Sequence, residues 1–330
     1  MHLNNYLKNL DPHIKLFGFG TLLRKVHNTK LALEFLKRNK LHPSTYYKWL
    51  NNEAPVRLDF LIFLANKQSN ILDEAYLEMK WVSVGEKKCI LPKVINEDLA
   101  YLLGALHGDG SLNKNKKYIH LTCDSYEYIK TTIAPLFKRL FNVSSTIRTI
   151  KSKNDYYRIE IGSKVVHSFI SMFAPIGKKK GKLEIPTEII RDKCLLRAYL
   201  TGLFDTDGCI SHTTNKKQCY FLFTQADNKF VCSVRSALAK LHIDMNSPKK
   251  FICKHPHNDK LLEGYRIYTG KHSTLLKILE TFDFQYPDKR LKSREILKIL
   301  NGPGRIRTCD LPYLESGSQS SETAFVKRTS

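Results

Sequence analysis

The chain has 330 residues, 42% of them hydrophobic, which is enough for two or three domains with apolar cores. Its formal net charge of +23 requires a polyanionic partner, and nucleic-acid phosphate is the leading candidate. No apolar run approaches the ~20 residues of a membrane-spanning helix, and the N-terminus lacks the pattern of a secretory signal. These features exclude a membrane partner and predict an intracellular protein.

The eight cysteines are scattered along the chain, with no Cys-x-x-Cys pair. A chain of this length does not need disulfide staples, so free thiols in a reducing compartment are expected. The stretch 253–257 reads Cys-Lys-His-Pro-His. It lacks the paired ligand spacing of zinc modules, which favours a solvated basic loop over a metal site.

Residues 1–75 are predicted to form a small all-α domain. Apolar residues have helical spacing over 31–36, and a turn follows at 39–43. A second helix is expected to start with Ser44 as its N-cap, and a third runs over 57–65. Residues 76–96 are predicted to be a connector, with strand character from Lys80 to Val84.

The second of these helices carries a resemblance of its own. The stretch from Leu41 to Trp49 is similar to the turn and recognition helix of repressor-type helix-turn-helix domains, whose second helix enters the major groove. An ordinary three-helix packing module is the alternative. The resemblance implies that four side chains face DNA: Ser44, Thr45, Tyr47 and Lys48.

Two stretches, 102–110 and 200–208, share one pattern, an apolar helix that runs into Asp-Gly. In each, a glycine precedes another small residue by four positions, as Gly104 precedes Gly108 and Gly202 precedes Thr206. Residues with this spacing share a helix face, and small residues there let two backbones approach closely. We expect the two helices to pack together and to hold the following aspartates side by side as ligands for a divalent cation. These aspartates are Asp109 and Asp207.

The segments after each motif alternate between strand and helix patterns in the same order. The first repeat is assigned to 97–176, with strands predicted at 118–122, 146–151 and 156–161 and helices at 126–140 and 165–173. A basic linker at 177–186 leads to the second repeat at 187–301. Its strands are predicted at 220–224, 249–253 and 265–269, and its helices at 230–241 and 273–282. Each half reads αββαββα, which predicts an α+β fold. A Gly/Ser/Thr-rich tail at 302–330 is expected to be disordered.

The two motifs resemble the LAGLIDADG motif of homing endonucleases, in the monomeric form with two motifs, and the resemblance covers about residues 97–300. It implies two pseudo-symmetric αββαββα halves whose sheets form a saddle on double-stranded DNA, in a protein that acts as a monomer. It further implies Mg²⁺ held by Asp109 and Asp207, with the backbone carbonyls of Gly108 and Thr206 completing the ligand shell. Each aspartate would serve one strand, which gives a double-strand break at a long target site.

The strands of the implied saddle carry residues suited to reading the major groove. In 156–161, Tyr157, Ile159 and Ile161 share one face and the alternate residues share the other. The residues expected to contact nucleic acid are Lys114, Lys116, Lys117, Arg148, Lys151, Lys153, Arg158, Lys249, Lys250, Lys254, Arg266 and Tyr268.

The chain departs from the family pattern at one place. Members often have a glutamine and a lysine just after the first strand, and here only Gln225 is found, so Gln225 is the third predicted catalytic residue. His107 and Asp205 are assigned to packing or supporting roles because they point away from the aspartates that follow them. Two alternatives to a homing endonuclease stay open: a maturase that binds intron RNA, and a DNA-binding regulator that does not cleave.

Overall fold

A computed structural model describes residues 14–26, 29–67, 71–84, 87–115, 117–151, 155–213, 218–254 and 261–301. It combines helices with three antiparallel four-stranded sheets. The predicted α+β class is confirmed. None of the helices in these ranges combines the length and the apolar character that crossing a bilayer requires.

The N-terminal region is not all-helical, because a small sheet in the order β2-β1-β3-β4 accompanies its helices. The strand β3 pairs with β1, so part of the predicted connector belongs to this sheet. The N-cap of this helix is Pro43 and not the predicted Ser44. The Ser44 hydroxyl contacts the ring of His42 instead. The elements are β1 Lys15–Phe17, α1 Gly20–Val26, α2 Thr29–Arg38, α3 Ser44–Leu50, β2 Val56–Arg57, α4 Leu58–Ala65, α5 Ile71–Glu78, β3 Trp81–Val84 and β4 Lys87–Cys89.

The first repeat has the predicted order of elements, with its sheet arranged β5-β6-β8-β7. A π-helical turn at Ile129–Ile133 divides the helix predicted at 126–140 into two α-helical pieces. The elements are α6 Glu97–Gly108, β5 Gly110–Leu112, β6 Tyr118–Cys123, α7 Tyr126–Tyr128, α8 Ala134–Phe141, β7 Thr146–Ile150, β8 Tyr156–Gly162 and α9 Lys164–Ile170.

The second repeat has the same order, and its sheet β9-β10-β12-β11 matches the first strand for strand. Within 187–301, a short helix comes before the motif helix and a long helix comes last. The elements are α10 Thr187–Arg191, α11 Lys193–Asp207, β9 Gly208–His212, β10 Cys219–Gln225, α12 Asn228–Lys240, β11 Lys249–Lys254, β12 Leu261–Thr269, α13 His272–Thr281 and α14 Pro287–Asn301.

The motif helices α6 and α11, one from each repeat, pack against each other and form the contact between the repeats. Side chains cap both N-termini: the Asn96 carboxamide accepts from the backbone N–H of Leu99 at 2.9 Å, and the Asp192 carboxylate accepts from that of Cys194 at 2.8 Å. Every residue over 99–107 is buried, and so is every residue over 199–206. A helix that is buried all round belongs to the centre of a core. The two motif helices therefore lie at the centre of the core that the two repeats share.

Candidate active site

Two glycines set the distance between α6 and α11. A Cβ built on Gly104 would overlap the carbonyl oxygen of Tyr199 and lie 2.9 Å from its carbonyl carbon. A Cβ on Gly202 would meet the carbonyl group of Tyr101 in the same way, also 2.9 Å from the carbon. No side chain can be accommodated at either position without separating the helices. The predicted interface through Gly104 and Gly202 is therefore present.

The same contact continues to the C-terminal ends of both helices. A Cβ on Gly108 would overlap the Thr206 hydroxyl and lie 3.3 Å from the carboxyl carbon of Asp207. The contacts advance towards the C-terminus in both helices, from Gly104 with Tyr199 to Gly108 with Thr206. The two helices therefore run parallel. Asp207 thus lies beside Gly108, the residue that precedes Asp109, and both aspartates are at the same end of the helix pair.

The oxygen atoms at this end suit a hard cation. Mg²⁺ prefers carboxylate, water and phosphate oxygens, and it uses only one or two protein carboxylates in many nucleotide sites. Asp109 and Asp207 are half-buried as whole residues, but both carboxylate oxygens of Asp109 are buried. The described residues contain no group of three or more His, Cys, Asp or Glu side chains that could hold a metal. The two aspartates would therefore supply part of a shell, with water and substrate supplying the rest.

The surroundings of the two aspartates differ. The Gln225 carboxamide donates from Nε2 to Oδ2 of Asp207 at 2.7 Å, as a residue that orients a metal ligand would. By strand register the matching position of the first repeat is Cys123, because Cys123 pairs with Tyr157 as Gln225 pairs with Tyr265. Burial raises the pKa of the Cys123 thiol to about 12, so this side chain stays neutral. Only the second half has the glutamine.

Two lysines that the sequence analysis did not assign to the site lie at the helix ends. The ammonium group of Lys179 donates to the carbonyls of Leu106, His107 and Gly108, at 2.9, 3.0 and 2.5 Å. Lys289 does the same at the end of α11, with the carbonyls of Phe204, Asp205 and Thr206 at 2.8, 2.7 and 3.3 Å. These are the same three positions in each repeat, and cations there complement the negative end of the helix dipole.

These lysines bear on the predicted ligand set. The carbonyl oxygens of Gly108 and Thr206 were expected to bind the metal, but each faces an ammonium group instead. A cation bound at the same oxygen would be repelled by that ammonium. Each carbonyl oxygen keeps a second lone pair, so metal binding by Gly108 and Thr206 stays a prediction.

Two polar side-chain contacts also join α6 to α11. The Tyr199 hydroxyl lies 2.6 Å from Nδ1 of His107, and the Tyr101 hydroxyl donates to Asp205 at 2.5 Å. Each contact joins one motif helix to the other. Burial lowers the pKa of His107 from 6.5 to about 4 and raises that of Asp205. Both side chains are fully buried, which agrees with the supporting roles predicted for them.

The two larger sheets each bury one face and leave the other half-exposed. On β8, Ile159 and Ile161 are buried while Arg158 lies on the open face, as the alternation predicted. Arg266 and Tyr268 share the open face of the second sheet with Lys249, which pairs with Arg266. Lys250 lies on the opposite face in an ion pair with Glu263 at 2.8 Å, so it does not join this group.

The remaining predicted nucleic-acid contacts have these places. Arg148 lies opposite Arg158 on the open face of the first sheet, and Lys114, Lys117 and Lys151 are exposed in loops. Lys116, Lys153 and the side chain of Lys254 lie outside the described residues, as does the tail at 302–330. On α3, Ser44, Tyr47 and Lys48 are exposed and Thr45 is partly exposed, while Tyr46 and Trp49 are buried.

Comparison with known protein families agrees with this geometry. Residues 96–173 and 195–275 each match the model of the LAGLIDADG-like domain. The chain carries two LAGLIDADG-like repeats. The first match begins at Asn96, the cap of α6, and the second at Leu195 in the first turn of α11. Each match therefore includes one motif helix and the sheet that follows it.

Several proteins are similar over long stretches. The replication factor C small subunit of Methanocaldococcus jannaschii is 30% identical over 307 residues, which cover 90% of this chain and 15% of the relative. The reverse gyrase of the same organism is 28% identical over 225 residues, covering 66% of this chain and 12% of the relative. The probable cell division protein WhiA of Shouchella clausii is 24% identical over 185 residues, 54% of this chain and 57% of WhiA. The chain therefore spans only a part of each relative.

Solved structures with a similar arrangement include full-length WhiA from Thermatoga maritima and variants of the homing endonuclease I-DmoI. The WhiA structure has a TM-score of 0.42 and 19% identity, covering 62% of this chain and 59% of WhiA. The I-DmoI structure has a TM-score of 0.41 and 18% identity, covering 60% of this chain and 97% of I-DmoI.

Proposed function

We propose that the chain is a site-specific DNA endonuclease that hydrolyses both strands of a long target in a Mg²⁺-dependent reaction. One observation carries the proposal: two carboxylates, Asp109 and Asp207, lie at adjoining ends of two helices that are locked together by glycine contacts. The C-terminal end of a helix disfavours negative charge, so two aspartates at this place fit a binding role better than a stabilising one.

Within this proposal each side chain has a task. Asp109 and Asp207 would hold the metal, which when bound would supply an activated water and neutralise charge on the phosphate. Gln225 fixes the orientation of the Asp207 carboxylate through its hydrogen bond. Lys179 and Lys289 place one ammonium group at each helix end, where they offset the negative charge that builds up as the phosphodiester is attacked.

DNA binding is assigned to the open faces of the two sheets and to helix α3. The open faces carry Arg148, Arg158, Lys249 and Arg266, and the chain as a whole has an excess of 23 positive charges. On α3 the exposed Tyr47 and Lys48 would reach the major groove beyond the saddle. This arrangement would extend the target site on one side.

The test is to incubate the purified chain with host genomic DNA and Mg²⁺ and to map new ends by sequencing. Breaks at one or a few sites are expected. Asp109→Asn and Asp207→Asn should each give nicks in place of double-strand breaks, and the double variant should give none. Asp98→Asn is the matched control, because Asp98 lies on the same helix but forms an exposed ion pair with Arg139. Absence of breaks with the wild type would refute the enzymatic proposal.

A DNA-binding protein that does not cleave is the second candidate. It is favoured by the asymmetry of the site, in which Cys123 stands where the other half has Gln225. Under this candidate, binding is tight and specific but produces no ends. Contacts with ~6–10 phosphates should weaken binding ~10³–10⁵-fold between 50 and 200 mM salt, and a flat response would refute both candidates. Preference for intron RNA over duplex DNA would indicate a maturase.

A further inference from the structure

The small N-terminal sheet has two faces of different character. Its strands lie in the order β2-β1-β3-β4, and directly paired residues point to the same face. One face carries Leu16, which pairs with Val82, and Cys89, which pairs with Val82 from the other side. All three side chains are buried. This face therefore belongs to the core, and solvent can reach only the opposite face.

A row of polar residues crosses all four strands on the opposite face. Lys15 pairs with Arg57 on one side and with Ser83 on the other. Ser83 in turn pairs with Lys88 on the edge strand β4. Lys15 and Lys88 are exposed, whereas Arg57 forms an ion pair with Asp59. The two lysines are therefore the cations of this row that are placed to bind an external anion.

Two aromatic residues form the next row of the same face. Phe17 pairs directly with Trp81. Both lie two positions along their strands from the polar row, a distance of about 7 Å. Trp81 is 37% exposed and Phe17 is partly exposed, and the Lys88 ammonium group lies 4.6 Å from the centroid of the Phe17 ring. Aromatic rings and cations thus lie side by side on one sheet face.

The hydroxyl group of Ser83 lies at the centre of the polar row. Ser83 is 1% exposed, and its Oγ has no hydrogen-bond partner among the described residues. Buried hydroxyl groups nearly always have a partner, because an unsatisfied one is costly. A position between Lys15 and Lys88 suits an anionic acceptor, such as a phosphate oxygen that both lysines attract.

Aromatic rings beside cations on an antiparallel sheet are an arrangement with which proteins bind unpaired nucleotides, whose bases stack on the rings. Bases inside a duplex are already stacked and cannot use such a surface. We propose that this sheet face binds single-stranded nucleic acid. Bases stack on Trp81 and Phe17 in this site. Lys15 and Lys88 bind the phosphates, and Ser83 donates its hydroxyl to one of them.

The site is separate from the surfaces assigned to duplex DNA, which are the open faces of the two larger sheets and helix α3. The inference therefore goes beyond the proposed function and does not depend on cleavage. A backbone hydrogen bond holds the small sheet against the first repeat, because the N–H of Ile90, next to β4, donates to the carbonyl of Phe141 at 3.0 Å. A bound single strand would thus lie beside the first repeat.

The two tryptophans of the chain allow a direct test. Trp81 lies on the proposed site, whereas Trp49 is only 2% exposed. The difference in emission between the full-length wild type and Trp81→Phe gives the fluorescence of Trp81 alone. A single-stranded oligonucleotide of about 12 nucleotides should quench this fluorescence, and a duplex of the same sequence should not. Equal quenching by the duplex, or no quenching by the single strand, would overturn the inference.

Substitutions of the rings measure the stacking. Trp81→Ala and Phe17→Ala should each weaken single-strand binding roughly 5- to 150-fold, the effect of losing one stacked base. Tyr126→Ala is the matched control, because Tyr126 is 45% exposed but lies on the first repeat, and it should bind as the wild type does. Circular dichroism confirms that each variant folds. A folded Trp81→Ala variant with wild-type affinity would refute the stacking.

The salt dependence of binding measures the phosphate contacts. Lys15→Gln with Lys88→Gln should reduce the slope of log affinity against log salt by about 1.4, since each phosphate contact with a single strand contributes about 0.7. Lys37→Gln, at an exposed position of helix α2, should leave the slope unchanged. An unchanged slope in the double variant would contradict the proposed contacts. RNA and DNA strands of one sequence are titrated in parallel: the tighter of the two identifies the strand that the site takes, and binding of neither overturns the inference.

Discussion

One substitution, Gly202→Ala, tests the close approach of the two motif helices. In Gly202→Ala the new methyl carbon would lie 2.9 Å from the carbonyl carbon of Tyr101 and closer still to its oxygen. Carbon atoms pack at about 3.5–4.0 Å. The helices must therefore separate by at least about 0.6 Å, because both obstacles are backbone atoms that cannot rotate away.

The free-energy cost has two parts. Overpacking of this kind costs about 1–3 kcal/mol. Separation also strains the two buried cross-helix contacts, Tyr101 with Asp205 and His107 with Tyr199, and a buried polar group that loses its partner costs about 1–3 kcal/mol. We expect a total of about 2–6 kcal/mol, a large share of the ~5–15 kcal/mol that stabilises a typical domain.

Urea unfolding followed by circular dichroism measures this cost. Gly162→Ala is the matched control, because its methyl group would meet only the Tyr118 side chain, at 3.3 Å. The control should change the free energy of unfolding by less than about 1 kcal/mol. Cleavage by folded Gly202→Ala should fall by about 10²-fold, since the aspartates are displaced from each other. If Gly202→Ala unfolds at the wild-type urea concentration, the close approach of the helices is wrong.

Three further predictions concern the residues around the helix ends. Gln225→Ala should slow cleavage of one DNA strand about 10- to 100-fold, because Asp207 loses its orienting donor; a plasmid assay would then show nicked circles before linear product. Lys289→Met and Lys179→Met should each lower the free energy of unfolding by about 1–3 kcal/mol, since the helix carbonyls lose a charged donor; unchanged urea midpoints would contradict the capping role. The pKa of His107 falls from 6.5 in the unfolded chain to about 4 when folded, so the unfolded state takes up the proton first and stability falls as pH drops from 6.5 towards 4. The loss should reach about 3 kcal/mol, and urea titrations at pH 7 and 4.5 should show a smaller loss in His107→Gln.

The sequence predicted the repeats well, because their elements follow from local patterns. The alternation in 156–161 set which residues of β8 are buried, and the glycine spacing placed Gly104 and Gly202 at the helix contact. Gln225 was predicted as a catalytic residue from the resemblance to homing endonucleases, and it does contact Asp207. Each of these inferences depends on residues within one element or its immediate neighbour.

Features that depend on distant residues were not predicted. The strands β1 and β2 have three and two residues, too few for a period to show, and they pair across about 40 positions. Lys179 and Lys289 reach carbonyls 71–85 positions earlier in the chain. In the sequence, Lys179 is one member of a basic run and Lys289 is a lysine near the start of a helix, so neither pattern points to a distant helix end. Lys250 is a different case: adjacent strand residues point to opposite faces, so it could have been separated from Lys249 at the outset.

The two repeats match at the residues that form the contact between the motif helices, and they differ at residues assigned to the DNA-contacting faces and to the candidate site. The glycine contact, the cross-helix hydrogen bond and the lysine at the helix end occur in both repeats at matching positions. Two positions differ by strand register: Glu160 of the first sheet corresponds to Tyr268 of the second, and Gln225 corresponds to Cys123. A symmetric dimer must present identical faces to both half-sites, whereas two repeats in one chain can change independently.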